Sequence, residues 1–356
     1  MDEPPASHPP TSASGLEIIS GPPVAAGSAL TEAPSYPYPG LHLAKTKRQI
    51  RLLHLAPGFY RARLRGKLEV VDLDSNPRYE AVSYAWGERT LGMHIRVNDT
   101  FEIPITDNLY DGLRRLRYRF STRVLWIDAI CINQCDLAER GHQVSFMGDI
   151  YGCAARVCVW LGGVGRPARV KDHLARLKFR LLQPNKIRNV GWRGVPGARR
   201  ELWTFLAETL ASVLKSSQPA WHMRAWVYLE VVRAREVVWC YYTFAITVSP
   251  QYFEERLHDA KIEGLQGFTS ILNHAFPRSR PETIQKTHQR EAPPGLRIHA
   301  ARANEIQAKD LRDKVYSLLS LIPHAEARLI YPDYSKPCSQ VFAEATFAAI
   351  AGSASI

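Results

Sequence analysis

One carboxylate stands out as a candidate catalytic group. Glu230 follows Trp226 by four residues and Val227 by three, within a segment over 221–235 whose apolar residues have helical spacing. A helix here places the carboxylate on an otherwise apolar face, and a carboxylate removed from water is a candidate functional group. The structural alternative is that Glu230 lies at the edge of this face and pairs with Arg233 one turn later.

Polar and aromatic residues near the ends of two apolar runs could complete such a site. Asp128 ends a strand predicted within RVLWIDAICI (123–132), and YEAVSYAWG (79–87) ends in three candidate binding residues: Ser83, Tyr84 and Trp86. Doubly wound sheets bind ligands at the carboxyl ends of their parallel strands. Asp128 equally suits a cap of the following turn, and the aromatic residues suit core packing. Asn133 could orient a loop or bind a ligand amide.

The elements that position these residues are predicted to alternate between strands and helices. Alternating apolar residues predict two early hairpins, around Pro57–Gly58 and around Asp99, and short apolar runs predict buried strands. The predicted strands cover 50–55, 61–73, 79–87, 94–98, 101–105, 123–132, 155–163 and 236–246; predicted helices begin at Asp107 and Asp136 and cover 201–214, 221–235, 309–321 and 339–350. This order predicts an α/β fold: a parallel sheet flanked by helices, preceded by a β-hairpin region and followed by extra helices.

The composition is that expected of a soluble globular chain. Its 356 residues are 46% hydrophobic and 22% charged, and no apolar stretch is long enough to span a membrane. The first residues have neither a secretory-signal nor a transit-peptide pattern, and six cysteines are too few for a disulfide framework in a chain of this length. We therefore expect a cytoplasmic protein with no membrane span.

The net charge of +12 is concentrated in one segment. Residues 166–200 contain eleven Lys and Arg against a single acid, Asp172, and prolines and glycines interrupt the run. Such a run indicates a solvated insertion, and the alternative is a binding segment for RNA, DNA or phospholipid. We divide the chain into a disordered proline-rich leader over 1–44, a domain over 45–335 with a basic insertion over 163–200, and a C-terminal helix and tail over 336–356.

The sequence lacks the common motifs for metal and phosphate binding. Two cysteine pairs, Cys131 with Cys135 and Cys153 with Cys158, have neither a second pair nor the histidines of a zinc site. No GxxxxGK[ST], GxSxG or HExxH motif is present. We therefore expect no metal and no cofactor.

Four strings together resemble the fungal heterokaryon-incompatibility (HET) domain. They are YEAVSYAWG (79–87), LWIDAICINQCDLAERGHQVSFMGDIYGCAARVCVWLG (125–162), RAWVYLEVV (224–232) and RDKVYSLLSLIP (312–323). The resemblance covers about residues 49–335, with Leu229 where the family usually has glutamine. It implies a cytosolic trigger of the cell death that follows fusion of genetically unlike fungal cells, acting through protein partners or self-association.

A fainter resemblance links this domain to Toll/interleukin receptor (TIR) domains, some of which cleave NAD. It implies a flavodoxin-like sheet and makes Glu230 the catalytic carboxylate, with NAD as a substrate. Cleavage of the nicotinamide–ribose bond passes through an oxocarbenium-like state, so an anion near the ribose and aromatic surface for the bases suffice. The substrate-binding residues would be Ser83, Tyr84, Trp86, Asp128, Asn133 and Trp226. The alternatives are a non-enzymatic adaptor and, against our expectation, a nucleic-acid binder through 166–200.

Overall fold

A single mixed sheet organises the chain. The structure is a computed structural model that describes residues 41–44, 46–86, 92–162, 221, 224–241, 244–248, 295–296 and 307–353. The strands in these residues are β1 (Gln49–Leu55), β2 (Arg65–Asp72), β3 (Glu80–Tyr84), β4 (His94–Val97), β5 (Phe101–Pro104), β6 (Arg123–Trp126), β7 (Val157–Trp160), β8 (Val237–Tyr241) and β9 (Phe244–Val248). They lie side by side in the order β5-β4-β2-β1-β6-β3-β7-β8-β9.

Helices flank this sheet. In the described parts of the chain they are α1 (Asp107–Leu116), α2 (Asp128–Cys131), α3 (Leu137–Ser145), α4 (Met147–Cys153), α5 (Ala225–Val232), α6 (Asp313–Tyr316), α7 (His324–Ala327) and α8 (Cys338–Ser353). None of these described helices has both the length and the apolar character needed to cross a bilayer. The predicted α/β class is thus confirmed, although the sheet is mixed where a parallel one was expected.

Four parallel strands form the centre of the sheet, in the order β6-β3-β7-β8. Every residue of β7 is buried, which is typical of a strand covered on both faces. Where β3 pairs with β7, Ser83 lies beside Val159 and Tyr84 beside Trp160. The carboxyl ends of these two strands therefore meet at one edge of the sheet.

Two hairpins form the other side of the sheet, as predicted. Strands β1 and β2 are antiparallel, and β1 also pairs with β6, which joins the hairpins to the parallel centre. Strands β4 and β5 are joined through Asn98 and Asp99, whose φ angles of 52° and 58° are left-handed. Asparagine and aspartate tolerate this conformation better than most residues, so the turn is encoded locally.

Local signals also predict the first and last helices correctly. The Thr106 side chain accepts a hydrogen bond from the Leu109 amide and so caps α1 at its predicted start. At the other end of the chain, α8 extends the helix predicted over 339–350 by a few residues. Capping residues and apolar spacing therefore sufficed for these two elements.

Two predicted strands are wrong in extent. The run over 123–132 is a strand only to Trp126, after which Asp128–Cys131 forms helix α2. A short buried apolar run fits a strand or a helix equally well, so its composition could not locate the change. The strand predicted over 236–246 is instead the antiparallel pair β8 and β9.

The helix predicted over 309–321 is also shorter than expected. Only Asp313–Tyr316 is α-helical. The following amides bond three residues back, as Leu318 does to the Val315 carbonyl and Leu321 to the Leu318 carbonyl. These are tight 3₁₀-type turns, which keep the apolar spacing approximately but not the α-helical hydrogen bonds.

Several sequence predictions lie outside the described residues. They are the leader apart from 41–44, the basic insertion over 163–200 and the helix over 201–214. The division of the chain at 44, 335 and 336 stays a prediction.

Candidate active site

The Glu230 carboxylate lies at the carboxyl end of the central strands. Helix α5 carries it inward, and Glu230 is only 1% exposed. The Ser83 hydroxyl, at the end of β3, donates a short hydrogen bond to Glu230 Oε2. The indole Nε1 of Trp221 donates in turn to Ser83 Oγ at 2.8 Å. A chain of buried polar contacts thus joins α5 to the sheet.

A guanidinium faces the same carboxylate. Arg224, just before the first residue of α5, places one terminal nitrogen 3.9 Å from Glu230 Oε1 and donates from the other to the Tyr84 carbonyl. The backbone around it is fixed as well, because the Ala225 amide donates to the Gln307 carbonyl at 3.0 Å. The positive charge is therefore held at the strand end, where it attracts an anion.

A second carboxylate completes this cluster. Asp128, the first residue of α2, accepts from the Trp86 indole at 2.9 Å and from the Ala129 amide at 2.7 Å. The Tyr84 phenol also hydrogen-bonds to it. The structure therefore brings Ser83, Tyr84, Trp86 and Asp128 together with Glu230. We call these five residues with Trp221, Arg224 and Tyr151 the carboxylate cluster.

The electrostatics of the carboxylate cluster favour a carboxyl group that titrates near neutral pH. Burial raises the pKa of Glu230 from 4.5 to about 7, against the opposing effects of the Arg224 guanidinium and the Ser83 hydroxyl. Burial also raises the pKa of Asp128, again opposed by Arg224. Burial lowers the pKa of Arg224 while the two carboxylates raise it, and the net direction is upward. Glu230 can therefore take up or release a proton at physiological pH.

Two predicted site residues lie elsewhere. The Asn133 side-chain oxygen accepts from the Cys135 backbone amide at 3.2 Å. The backbone amide of Asn133 donates to the Glu139 carboxylate at 2.7 Å, so Asn133 shapes the turn before α3. Trp226 is half-buried, and its indole hydrogen-bonds to Asp313. Among the described residues, no side-chain hydrogen bond or ion pair joins Asn133 or Trp226 to the Glu230 carboxylate, and their roles in binding stay predictions.

The structural alternative, in which Glu230 pairs with Arg233, is wrong. Arg233 donates to Asp149 of α4 at 3.0 Å, so it does not neutralise Glu230. Asp313 Oδ1 likewise lies 3.6 Å from Arg140, and it accepts from the Tyr334 phenol at 2.6 Å. Both ion pairs connect elements that are distant in sequence, which local spacing cannot reveal.

A second buried ion pair anchors the loop that leads from Asp128 to α3. Arg51 of β1 is fully buried and donates to both carboxylate oxygens of Glu139, at 2.6 and 2.9 Å. It also donates to the Cys131 carbonyl at 3.0 Å. Asp136 caps α3, which begins as predicted, and Glu139, three residues later, is only 7% exposed.

Sequence reasoning missed three members of the carboxylate cluster: Tyr151, Trp221 and Arg224. Tyr151 lies in α4 and hydrogen-bonds to Glu230. Arg224 opens the RAWVYLEVV string, and this motif was the one signal that could have identified it. Among the described residues, no group of three or more His, Cys, Asp and Glu side chains is arranged to hold a metal.

The titration of Glu230 predicts a pH-dependent stability. Because the folded pKa lies above the unfolded value of 4.5, the folded state binds more protons between pH 4.5 and about 7. The contribution of Glu230 to the free energy of unfolding is therefore fully present below pH 4.5 and is lost as the pH rises through 7. Glu230→Gln, which stays neutral, is expected to gain about 2–3 kcal/mol over the wild type between pH 5 and pH 8.

Urea unfolding of both chains at several pH values measures this difference. Asp128, Tyr151 and Arg224, the other ionisable groups facing Glu230, are present in both chains and largely cancel. A constant difference across this pH range would mean that Glu230 is ionised throughout, and the proposed titration would be wrong.

The fold and the carboxylate cluster define a class of protein: an α/β domain with a buried acidic centre at the ends of its parallel strands. Comparison with known proteins points to the same family as the sequence motifs. Residues 79–230 match the family model described as heterokaryon incompatibility protein (HET), so the predicted resemblance to this family is confirmed. The matched residues begin just before β3 and end at Glu230, and they include every member of the carboxylate cluster.

A curated relative supports the same family. The chain is 29% identical over 378 aligned residues to "Heterokaryon incompatibility protein 6, OR allele" of Neurospora crassa. The alignment covers 91% of this chain and 56% of the relative, so the chain spans about half the length of the curated protein it matches. No solved structure matches the chain.

Proposed function

We propose that this chain acts in fungal nonself recognition, as a cytoplasmic HET protein that triggers cell death after fusion of unlike cells. The HET family match over 79–230 and the relative from Neurospora crassa support this role. Protein partners or self-association start the response.

The reaction that best suits the carboxylate cluster is cleavage of NAD. The observation that carries this proposal is the contact between Glu230 and Ser83 at the carboxyl end of β3. The bond between nicotinamide and ribose breaks, and its electron pair leaves with neutral nicotinamide. The Glu230 carboxylate stabilises the positive charge that develops on the ribose. Water then adds to the ribose carbon and loses a proton, giving ADP-ribose.

The order of the central strands supports a ligand site at this position. We infer a flavodoxin-like, TIR-related sheet from the order of the four parallel strands. They lie side by side as β6-β3-β7-β8, which is the order 2-1-3-4 when these four strands are numbered along the chain. In such sheets ligands bind where the strand order reverses, between the first and third strands. Here these strands are β3 and β7, and Glu230 lies beside the end of β3.

Access to Glu230 requires a conformational change. Since Glu230 is 1% exposed, a ribose can reach it only when side chains at the strand ends move apart. Assembly with a partner or a second copy of this chain would provide the free energy for that change. We therefore expect NAD cleavage to increase when the chain assembles.

The same burial favours a second candidate function, that of a non-enzymatic adaptor. The Glu230 carboxylate already has hydrogen-bond partners in Ser83 and Tyr151 and a charge partner in Arg224, as it would in a purely structural polar network. In this alternative the carboxylate cluster stabilises the domain, and the surface of the domain recruits partners.

Cell viability distinguishes the two functions. Expression of wild-type chain in a fungus with an incompatible partner is expected to kill cells, and Glu230→Gln is expected to abolish killing at equal protein level. Glu236→Gln removes a carboxylate whose side chain is 43% exposed and serves as the matched control. Full killing by Glu230→Gln would favour the adaptor and would rule out catalysis by Glu230 as the trigger.

A further inference from the structure

A basic cavity lies on the hairpin side of the sheet, away from the carboxylate cluster. Its volume is about 270 Å³, and its lining includes Arg63, Arg65, His94, Arg96, Glu102 and Tyr110. In sheet order β4 is four positions from β3. At ~4.8 Å per strand this is about 19 Å, so the cavity is a separate site.

The strand register concentrates positive charge at this cavity. Arg65 of β2 and Arg96 of β4 are direct partners in a parallel pair, and both are exposed. His94 precedes Arg96 by two residues within β4, so the period of a strand directs it to the same face, and Arg63, two residues before Arg65, also lines the cavity. Like charges directly opposite each other destabilise a sheet, and an anion between them removes that repulsion.

The arginines of the cavity have few competing anions. Glu102 is the cross-strand partner of Arg96, and it is the one acid among the described residues of the lining. Among these described residues, three arginines against one glutamate leave a charge of +2 with His94 neutral. Within the described parts of the chain, no ion pair joins a carboxylate to Arg63, Arg65 or Arg96. With respect to the described carboxylates, their guanidinium donors can therefore bind a ligand.

An aromatic wall completes the cavity. Tyr110 of α1 lines it, and the Arg114 guanidinium lies 5.6 Å from the centre of the Tyr110 ring and 3.9 Å from that of Tyr60. This stack holds the Tyr110 ring in place and offers an apolar surface beside the arginines. Such a combination suits a ligand with an anionic group and a small ring.

We propose that this cavity, between β2, β4 and α1, binds a small phosphorylated molecule, such as a sugar phosphate or a mononucleotide. Paired arginines match the planar, bidentate geometry with which guanidinium groups bind phosphate. The cavity volume of about 270 Å³ lies just below the usual range for small-molecule sites, so it suits a sugar phosphate or a mononucleotide better than a whole dinucleotide. The site is independent of Glu230 and would bind an effector, not the NAD of the proposed reaction.

Calorimetric titration of the full chain with inorganic phosphate, ribose 5-phosphate and AMP tests this site. The wild type is expected to bind ribose 5-phosphate and AMP saturably, below about 1 mM, and inorganic phosphate more weakly. The double variant Arg65→Ala/Arg96→Ala is expected to weaken ribose 5-phosphate binding about 100-fold, because two charge-assisted contacts are lost. Both side chains are exposed, so the variant is expected to fold.

A matched variant controls for total charge. Lys309→Ala/Arg328→Ala removes the same two positive charges from exposed positions that lie outside the cavity lining and far from β2 and β4 in the chain. Its affinity is expected to stay within about threefold of the wild type, since surface charges that do not contact the ligand act weakly. Equal weakening by both double variants, no binding at millimolar ligand, or binding of a single-stranded oligonucleotide without binding of the small probes would overturn the proposal.

Discussion

Glu230→Gln is expected to lower the rate of nicotinamide release from NAD about a thousandfold or more. The substitution keeps the size and hydrogen-bonding capacity of the side chain but removes the charge that stabilises the oxocarbenium-like state. Glu230 is the carboxylate that the Ser83 hydroxyl and the Arg224 guanidinium both face. Chromatographic assay of nicotinamide from full-length wild-type and variant chains under assembly conditions measures the ratio.

Two controls separate lost catalysis from lost structure. Glu236→Gln, at a partly exposed position whose ion pair with Arg156 spans 3.7 Å, is expected to retain the wild-type rate. At pH 8 the Glu230→Gln chain is expected to unfold at a higher urea concentration than the wild type, because burial disfavours the ionised carboxylate. A variant that stays folded and keeps more than about a tenth of the wild-type rate would rule out Glu230 as the catalytic anion.

The second large effect is on stability, at the ion pair between Arg51 and Glu139. Arg51→Met is expected to lower the free energy of unfolding by about 3–5 kcal/mol, because it leaves the Glu139 carboxylate buried without its cation. The Cys131 carbonyl loses a donor in the same change. Chemical denaturation of the two chains measures the difference.

Two further variants test whether this cost comes from the unpaired charge. Arg51→Met/Glu139→Leu is expected to recover most of the lost free energy of unfolding, because no charge is left unpaired. A deficit of about 1 kcal/mol is expected to remain, because the Asn133 backbone amide loses its acceptor on Glu139. Arg48→Met removes an arginine whose side chain is 38% exposed and which pairs with Asp74 and Asp149. Its cost is expected to stay below about 1 kcal/mol. A double variant as unstable as Arg51→Met would contradict this account.

Local signals predicted the parts of the fold that local interactions determine. The turn at Asn98 and Asp99 adopts left-handed φ angles that these residue types tolerate, and the Thr106 cap begins α1 where expected. The buried face of Glu230 was also predicted, since helical spacing alone surrounds it with apolar residues. In each case neighbours within one or two turns of the chain specify the structure.

The parts that could not be predicted depend on contacts between distant residues. Nothing near Arg51 in the sequence indicates that its partner is Glu139, 88 residues later. Arg224 reaches the Tyr84 carbonyl across 140 residues. The change from strand to helix after Trp126 occurs inside one apolar run, where both structures bury the same side chains.

Incubation of the full chain with NAD, with and without a crowding agent that promotes assembly, tests the central claim most directly. The account predicts equimolar nicotinamide and ADP-ribose over many turnovers, a rate that increases on assembly, and a rate that rises with pH through one ionisation near pH 7, the pKa of Glu230. Failure of the assembled, folded chain to release nicotinamide at pH 8 would contradict it.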